Sequence, residues 1–238
     1  MRFKLLGVNV DSLSEAEIHE RTAKLSSEKR TSQIVLLDTY LLMKAQFSKE
    51  LKNIINSCDM VIPISGGIKF GLKFFKVKLD TVYNFFSFII RLVTYLTDYN
   101  KNIYLLGGTE RSIVRAEKNI KGSFPGIRLM GRFHVKYRKE FEGNLITAIQ
   151  KTSPAMTIVS MTRPKQEKWI YRVRKEFKEG VFIGIENFVD IIGDIDPSGK
   201  KTGTGSRRRS IIIKNPFRIF YYILYFILLV IYKIFKLG

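Results

Sequence analysis

Two stretches of this chain carry residue types at spacings that suit chemistry on a sugar or a phosphate. The first is NIYLLGGTE. Gly107 and Gly108 let a backbone approach a ligand closely, and the amides that open a helix after Thr109 favour a phosphate. A tight strand-to-helix turn needs the same glycines with no ligand. The second is MTRPKQEKWI, where Pro164, Lys165 and Gln166 open a helix after an apolar run. The Gln166 amide is suited to hold a sugar hydroxyl or a uracil edge, and Trp169 to pack beneath. A solvated helix start with one buried Trp fits equally well. Other motifs fail on spacing. In GDIDPSGKKT, Gly193 and Gly199 stand one residue too far apart for a phosphate loop, and Lys201 stands where Ser or Thr belongs. His19 and His134 have no partner at metal-ligand spacing, so no metal site is expected. The single cysteine, Cys58, excludes an internal disulfide and reads as a small core residue.

The elements that must position these residues are short apolar runs alternating with longer mixed segments. FKLLGVNV, QIVLLD, DMVIPI, NIYLLGG, GIRLMG, AMTIVSM and VFIGI read as buried strands. SLSEAEIHERTAKL reads as a helix capped by Ser12 or Ser14, with Glu15 and Glu17 in its first turn. TERSIVRAEKNIKG, RKEFEGNLITAIQK and PKQEKWIYRVRKEFKEG read as further helices, the last with Pro164 in its first turn and Gly180 at its end. Residues 85–96 have the spacing of a mostly buried helix. Alternation of this kind implies an α/β fold, Rossmann-like, with a mostly parallel sheet flanked by helices. The body is expected to run over residues 1–193, followed by a Gly/Ser/Thr/Lys-rich linker at 194–206 and a tail at 207–238.

Charge sets the tail apart. The chain carries a net charge of +20, and from Pro197 to Gly238 it has no Asp or Glu. Such a balance points to an anionic partner surface. Ile219 to Tyr232 is an apolar run of fourteen residues, short of the ~20 that a bilayer-spanning helix needs. The tail is therefore expected to be a membrane-binding helical appendage lying in the interface. Arg207, Arg208, Arg209, Lys214 and Arg218 would meet anionic head groups, each contributing on the order of 1 kcal/mol. An ordinary core helix and a short true span are the alternatives. Nucleic acid is not expected as a partner, because it cannot use the apolar run and no recognised motif is present. No signal peptide is visible at the start of the chain. The protein is thus placed at the cytoplasmic face of the cell membrane, peripheral or monotopic.

Several segments resemble the WecG/TagA/CpsF glycosyltransferase family, in order and spacing from about Phe3 to Gly193. PKQEKW resembles the family signature GSPKQEKW. QIVLLDTYLLMKA, NSCDMVIP, NIYLLGGTE with SFPGIRLMG, and VFIGIENFVDIIGD resemble its other conserved segments. The resemblance implies transfer of an N-acetylmannosamine-type sugar from a UDP-sugar donor to a polyprenyl-diphosphate-linked acceptor, with no cofactor. It implies a nucleotide-sugar site at Gly107, Gly108, Thr109, Pro164, Lys165, Gln166 and Asp190. Family members can self-associate, so a homo-oligomer is a further expectation.

The departures from the family pattern are specific. Its general-base carboxylate falls on Ile64, its Thr and Asn on Leu36 and Asp38, and an Arg on Val82. Arg163 replaces a small residue. Loss of a general base costs about 10²–10⁴-fold in rate. Asp38 is the preferred relocated base, with Glu186 and Asp190 behind it. Two functions follow: an active transferase with altered chemistry, or an inactive homologue that binds a glycolipid or scaffolds a partner enzyme.

Overall fold

The computed structural model describes residues 1–77, 83, 85–134, 139–193 and 217–235, without the side chains of 139 and 217–219. Eight strands run along the chain: β1 (Arg2–Leu5), β2 (Val8–Asp11), β3 (Thr31–Leu37), β4 (Met60–Pro63), β5 (Asn102–Gly107), β6 (Arg128–Phe133), β7 (Met156–Ser160) and β8 (Gly180–Gly184). The helices are α1 (Glu15–Ser27), α2 (Thr39–Gln46), α3 (Lys49–Asn56), α4 (Gly66–Phe74), α5 (Phe85–Asp98), α6 (Glu110–Ser123), α7 (Glu142–Thr152), α8 (Lys165–Val173), α9 (Phe188–Gly193) and α10 (Phe217–Ile234).

Six strands form one parallel sheet in the order β4-β3-β8-β7-β5-β6. Both faces are covered, which is why the central strands read as continuous apolar runs. Successive residues still alternate between faces. Ile34, Leu36, Ile62, Leu105, Ile158 and Ile183 pack in a core shared with α1, α5, α6 and α9. On the other face, Val35, Leu37 and Val61 meet α2, α3, α4 and α10. Leu106, Val159 and Phe182 meet α7 and α8.

FKLLGVNV is not one strand of the sheet. Leu6 (φ 51°) and Gly7 (φ 73°) both take positive φ and turn it into the antiparallel hairpin β1–β2. Positive φ at both central residues is what a tight two-residue hairpin turn requires. Asp11 then clamps the hairpin to β4, accepting two bonds from Arg2 at 2.8 Å and one from the Val61 amide at 2.7 Å. Gly180 is also reassigned. α8 ends at Val173, a 3₁₀ turn follows, and Gly180 (φ 108°) opens β8. Ser14 is the α1 cap, paired with Glu17 in a reciprocal capping box.

α10 lies on α2 and α4. Tyr225 and Leu229 are buried there, and the Tyr225 hydroxyl donates to the Gly67 carbonyl at 2.7 Å. The opposite face is bare and apolar: Phe220, Ile223, Phe226, Ile227, Val230 and Ile234 are exposed. Among the described residues no helix is long and apolar enough to cross a membrane. Linker residues 194–206 and the basic residues Arg207, Arg208, Arg209 and Lys214 lie outside the described residues, as does the side chain of Arg218.

Candidate active site

All six sheet strands end on the same edge, and the loops there hold the polar groups. In an open parallel sheet, ligands bind at that carboxyl edge. In sheet order the edge presents Ile64 and Ser65 after β4, Asp38 and Thr39 after β3, and Glu186 after β8. Ser160 to Arg163 follow β7, Gly108 and Thr109 follow β5, and His134 follows β6.

Asp38 caps α2, its Oδ1 accepting from the Leu41 amide at 2.8 Å. Its Oδ2 receives Nη1 of Arg163 at 2.6 Å. The Asp38 side chain keeps 25% exposure, while that of Arg163 has 3%. Burial opposes the charge on Arg163, yet Asp38, Glu167 and Glu186 around it prevail and raise its pKa. The Arg163 amide also donates to Glu186 Oε1 at 3.4 Å. Ile64, where the family pattern has its base, is half-buried and packs against the core beneath. Thr39 Oγ1 lies 3.1 Å from Ser65 Oγ and ties the ends of β3 and β4 together.

Pro164 caps α8 after a cis peptide bond, and Lys165 is exposed. Gln166 is fully buried. Its amide fills the space left by the missing Cβ of Gly184, and Nε2 donates to Glu167 Oε1 at 2.8 Å. Gln166 thus sits under the edge and not on its rim. Glu167, also buried, is pushed up to about 7 by desolvation, against the pull of Arg163 and the Gln166 bond. Arg163 Nε, Gln166 Oε1, Glu167 Oε2 and Gln33 Oε1 are buried without a partner. Trp169 packs away from the edge and donates to Glu142 at 2.8 Å.

The Gly107–Gly108 turn is packed as well as open. A Cβ on Gly107 would strike Ser160, and one on Gly108 would come within 2.7 Å of Val189. Ser160 Oγ in turn accepts from the Val189 amide at 3.3 Å, next to Asp190. Thr109 caps α6 in a reciprocal box with Ser112. Thr109, Arg111, Arg115 and His134 line an open hollow of about 670 Å³ at the start of α6. The structure therefore gathers Asp38, Gln166 and Pro164 on one side of β7, and Gly107, Gly108, Thr109 and Asp190 on the other. Val82 lies outside the described residues. Arg163 and Glu167 are the centre that sequence reasoning did not assign. The signal was there: four charged residues within RPKQEK, shortly after a strand.

The polar carboxyl edge of a doubly covered parallel sheet is the ligand-binding side of this α/β scaffold. Residues 3–197 match the Glycosyl transferase WecG/TagA/CpsF family, and the chain belongs to that family. It is 23% identical over 185 residues to the N-acetylglucosaminyldiphosphoundecaprenol N-acetyl-beta-D-mannosaminyltransferase of Bacillus spizizenii, covering 76% of this chain and 70% of that protein.

Proposed function

We propose that this protein transfers an N-acetylhexosamine of the N-acetylmannosamine type from a UDP-sugar to a polyprenyl-diphosphate-linked acceptor, in cell-surface polysaccharide synthesis. The observation that carries this reading is Asp38: a partly exposed carboxylate, oriented by Arg163, at the ligand-binding edge of a family-defining fold. The name of the Bacillus relative supports the sugar and the acceptor. Asp38 takes the proton of the acceptor hydroxyl as that oxygen bonds to the sugar anomeric carbon. The bond to the UDP phosphate oxygen breaks, and UDP leaves with the electron pair. The amides at the start of α6 and the Gly107–Gly108 turn hold the diphosphate. Gln166 and Asp190 support the nucleotide-sugar side from beneath and beside it.

The bare apolar face of α10 and the acid-free basic tail support a peripheral seat on an anionic membrane, at the cytoplasmic face. Two observations favour a second reading, an inactive glycolipid-binding scaffold: Ile64 packs on the core, and both Asp38 oxygens are already engaged. Calorimetry with UDP and UDP-N-acetylhexosamines, followed by a transfer assay on anionic vesicles, separates the two. Asp38→Asn keeps the helix cap, so turnover should fall about 10²–10⁴-fold with nucleotide binding intact. Unchanged turnover removes Asp38 as the base. Wild type without turnover from any UDP-sugar removes the transferase reading.

A further inference from the structure

Lys44 lies on the last turn of α2, where α10 crosses it. Its ammonium sits 5.5 Å from the ring centre of Tyr40 and 5.1 Å from that of Tyr221. The two rings meet edge to face at 5.6 Å, and Phe47 stands 6.2 Å from Tyr221. A half-buried ammonium is thus framed by aromatic groups from two helices. A long, flexible lysine held in this way has given up rotamer freedom.

Among the described residues no acid pairs with it. Neither α2 nor α10 contains Asp or Glu, and the groups acting on the Lys44 charge are the phenols of Tyr221 and Tyr40. A fixed ammonium beside two hydroxyls presents several donors to one anion, and phosphate oxygens are the acceptors that use them best. On one flank lies the apolar face of α10, with Phe220, Ile223 and Ile227 exposed. Toward the other end of α2 its cap, Asp38, stands six residues back, about 9 Å along the helix. The apolar face belongs to α10, and the cation and the carboxylate stand at opposite ends of α2.

We infer that Lys44, framed by Tyr40 and Tyr221, is the contact for the phosphate of a polyprenyl-linked lipid whose chain lies along α10. This rests on the acceptor class proposed above and adds its anchoring residue. A phosphodiester head group would meet the same cation, but a terminal phosphate monoester offers it more charge and more acceptor oxygens.

The test is cosedimentation of the full chain with three kinds of vesicle: neutral phosphatidylcholine, the same doped with polyprenyl phosphate, and the same with matched charge as phosphatidylglycerol. Wild type should prefer the polyprenyl phosphate. Lys44→Met should weaken that binding about tenfold, the value of a charge-assisted hydrogen bond. On phosphatidylglycerol it should cost only the few-fold effect of one surface cation. Lys44→Arg should retain binding, and Tyr221→Phe should lose part of it with the fold intact. Equal losses on both charged vesicles, no loss, or no wild-type preference overturns the inference and leaves the transferase reading standing. Wild type that binds none of the three overturns both the inference and the membrane seat.

Discussion

Arg163, just ahead of α8, reaches Asp38 at the start of α2, with Nη1 2.6 Å from Oδ2, and so joins the ends of β7 and β3 across β8. The guanidinium is buried, so removing Asp38 strips it of its ion-pair partner and leaves only Glu167 and Glu186 nearby to offset the charge. Breaking such a pair costs on the order of 3 kcal/mol, whereas replacing both members by apolar groups costs far less. Arg163→Met and Asp38→Ala should each lower the melting temperature by roughly 5–10 °C in a chain of this size. The double variant should fall well short of the sum. Calorimetric melting of the three variants checks this. Additive losses would show that the two groups do not depend on one another.

Glu167 gives the stability a pH dependence of unusual sign for a carboxylate. Its folded pKa is about 7, against 4.5 for the ordinary group. Between those values the folded state keeps a proton that the unfolded chain has released. Stability therefore falls as pH rises from about 4.5 to 7, by roughly 3 kcal/mol in all, and is level above. His19, whose pKa burial lowers, acts in the opposite sense, so the informative quantity is the difference between wild type and Glu167→Gln. That variant should gain on wild type by 2–3 kcal/mol between pH 5 and pH 8 in urea titrations, a figure of roughly the Glu167 contribution itself. A difference that does not change with pH would mean that Glu167 is ionised throughout.

The sheet was legible because its strands are buried on both faces and announce themselves as apolar runs, QIVLLD and AMTIVSM most plainly. The family signature was legible because PKQEKW is dense in residues that a plain helix start does not need. FKLLGVNV misled because an apolar run carries no mark of a two-residue turn beyond one glycine, and Leu6 shares the positive φ. The burial of Gln166 is not legible in sequence, because nothing local marks a first-turn amide as an interior group. Only the glycine at 184, distant in sequence, makes the space that buries it. The Arg163–Asp38 pair joins residues 125 apart, and no local pattern encodes it.

Gly71 is the test of how α10 is held. A methyl group there would collide with the Tyr225 hydroxyl, the same hydroxyl that donates to Gly67. Helix propensity alone would make Gly71→Ala stabilising by up to about 1 kcal/mol. The collision reverses the sign for docking. Hydrogen exchange of α10 amides should speed up in Gly71→Ala by well over tenfold. Tyr225→Phe, which loses one hydrogen bond of about 1 kcal/mol, should show an increase of several-fold. Unchanged protection in Gly71→Ala would mean that α10 is held by other contacts.

Gly108 decides between the two reasons a glycine can stand at a strand-to-helix turn. Its φ is 64°, which a side chain adopts only with strain, and Val189 at the start of α9 fills the space beside it. If packing is the reason, Gly108→Ala pushes α9 away and costs about 1–3 kcal/mol of stability. UDP binding should then weaken only about as far as α9 and its Asp190 are displaced. If close approach of a ligand is the reason, stability falls only by the left-handed backbone strain of roughly 1 kcal/mol, and nucleotide binding is lost. Melting and UDP calorimetry on the same preparation separate the two. The contact with Val189 makes the first outcome the expected one, with a loss of 3–8 °C in melting temperature, roughly the scale for that cost in a chain of this length.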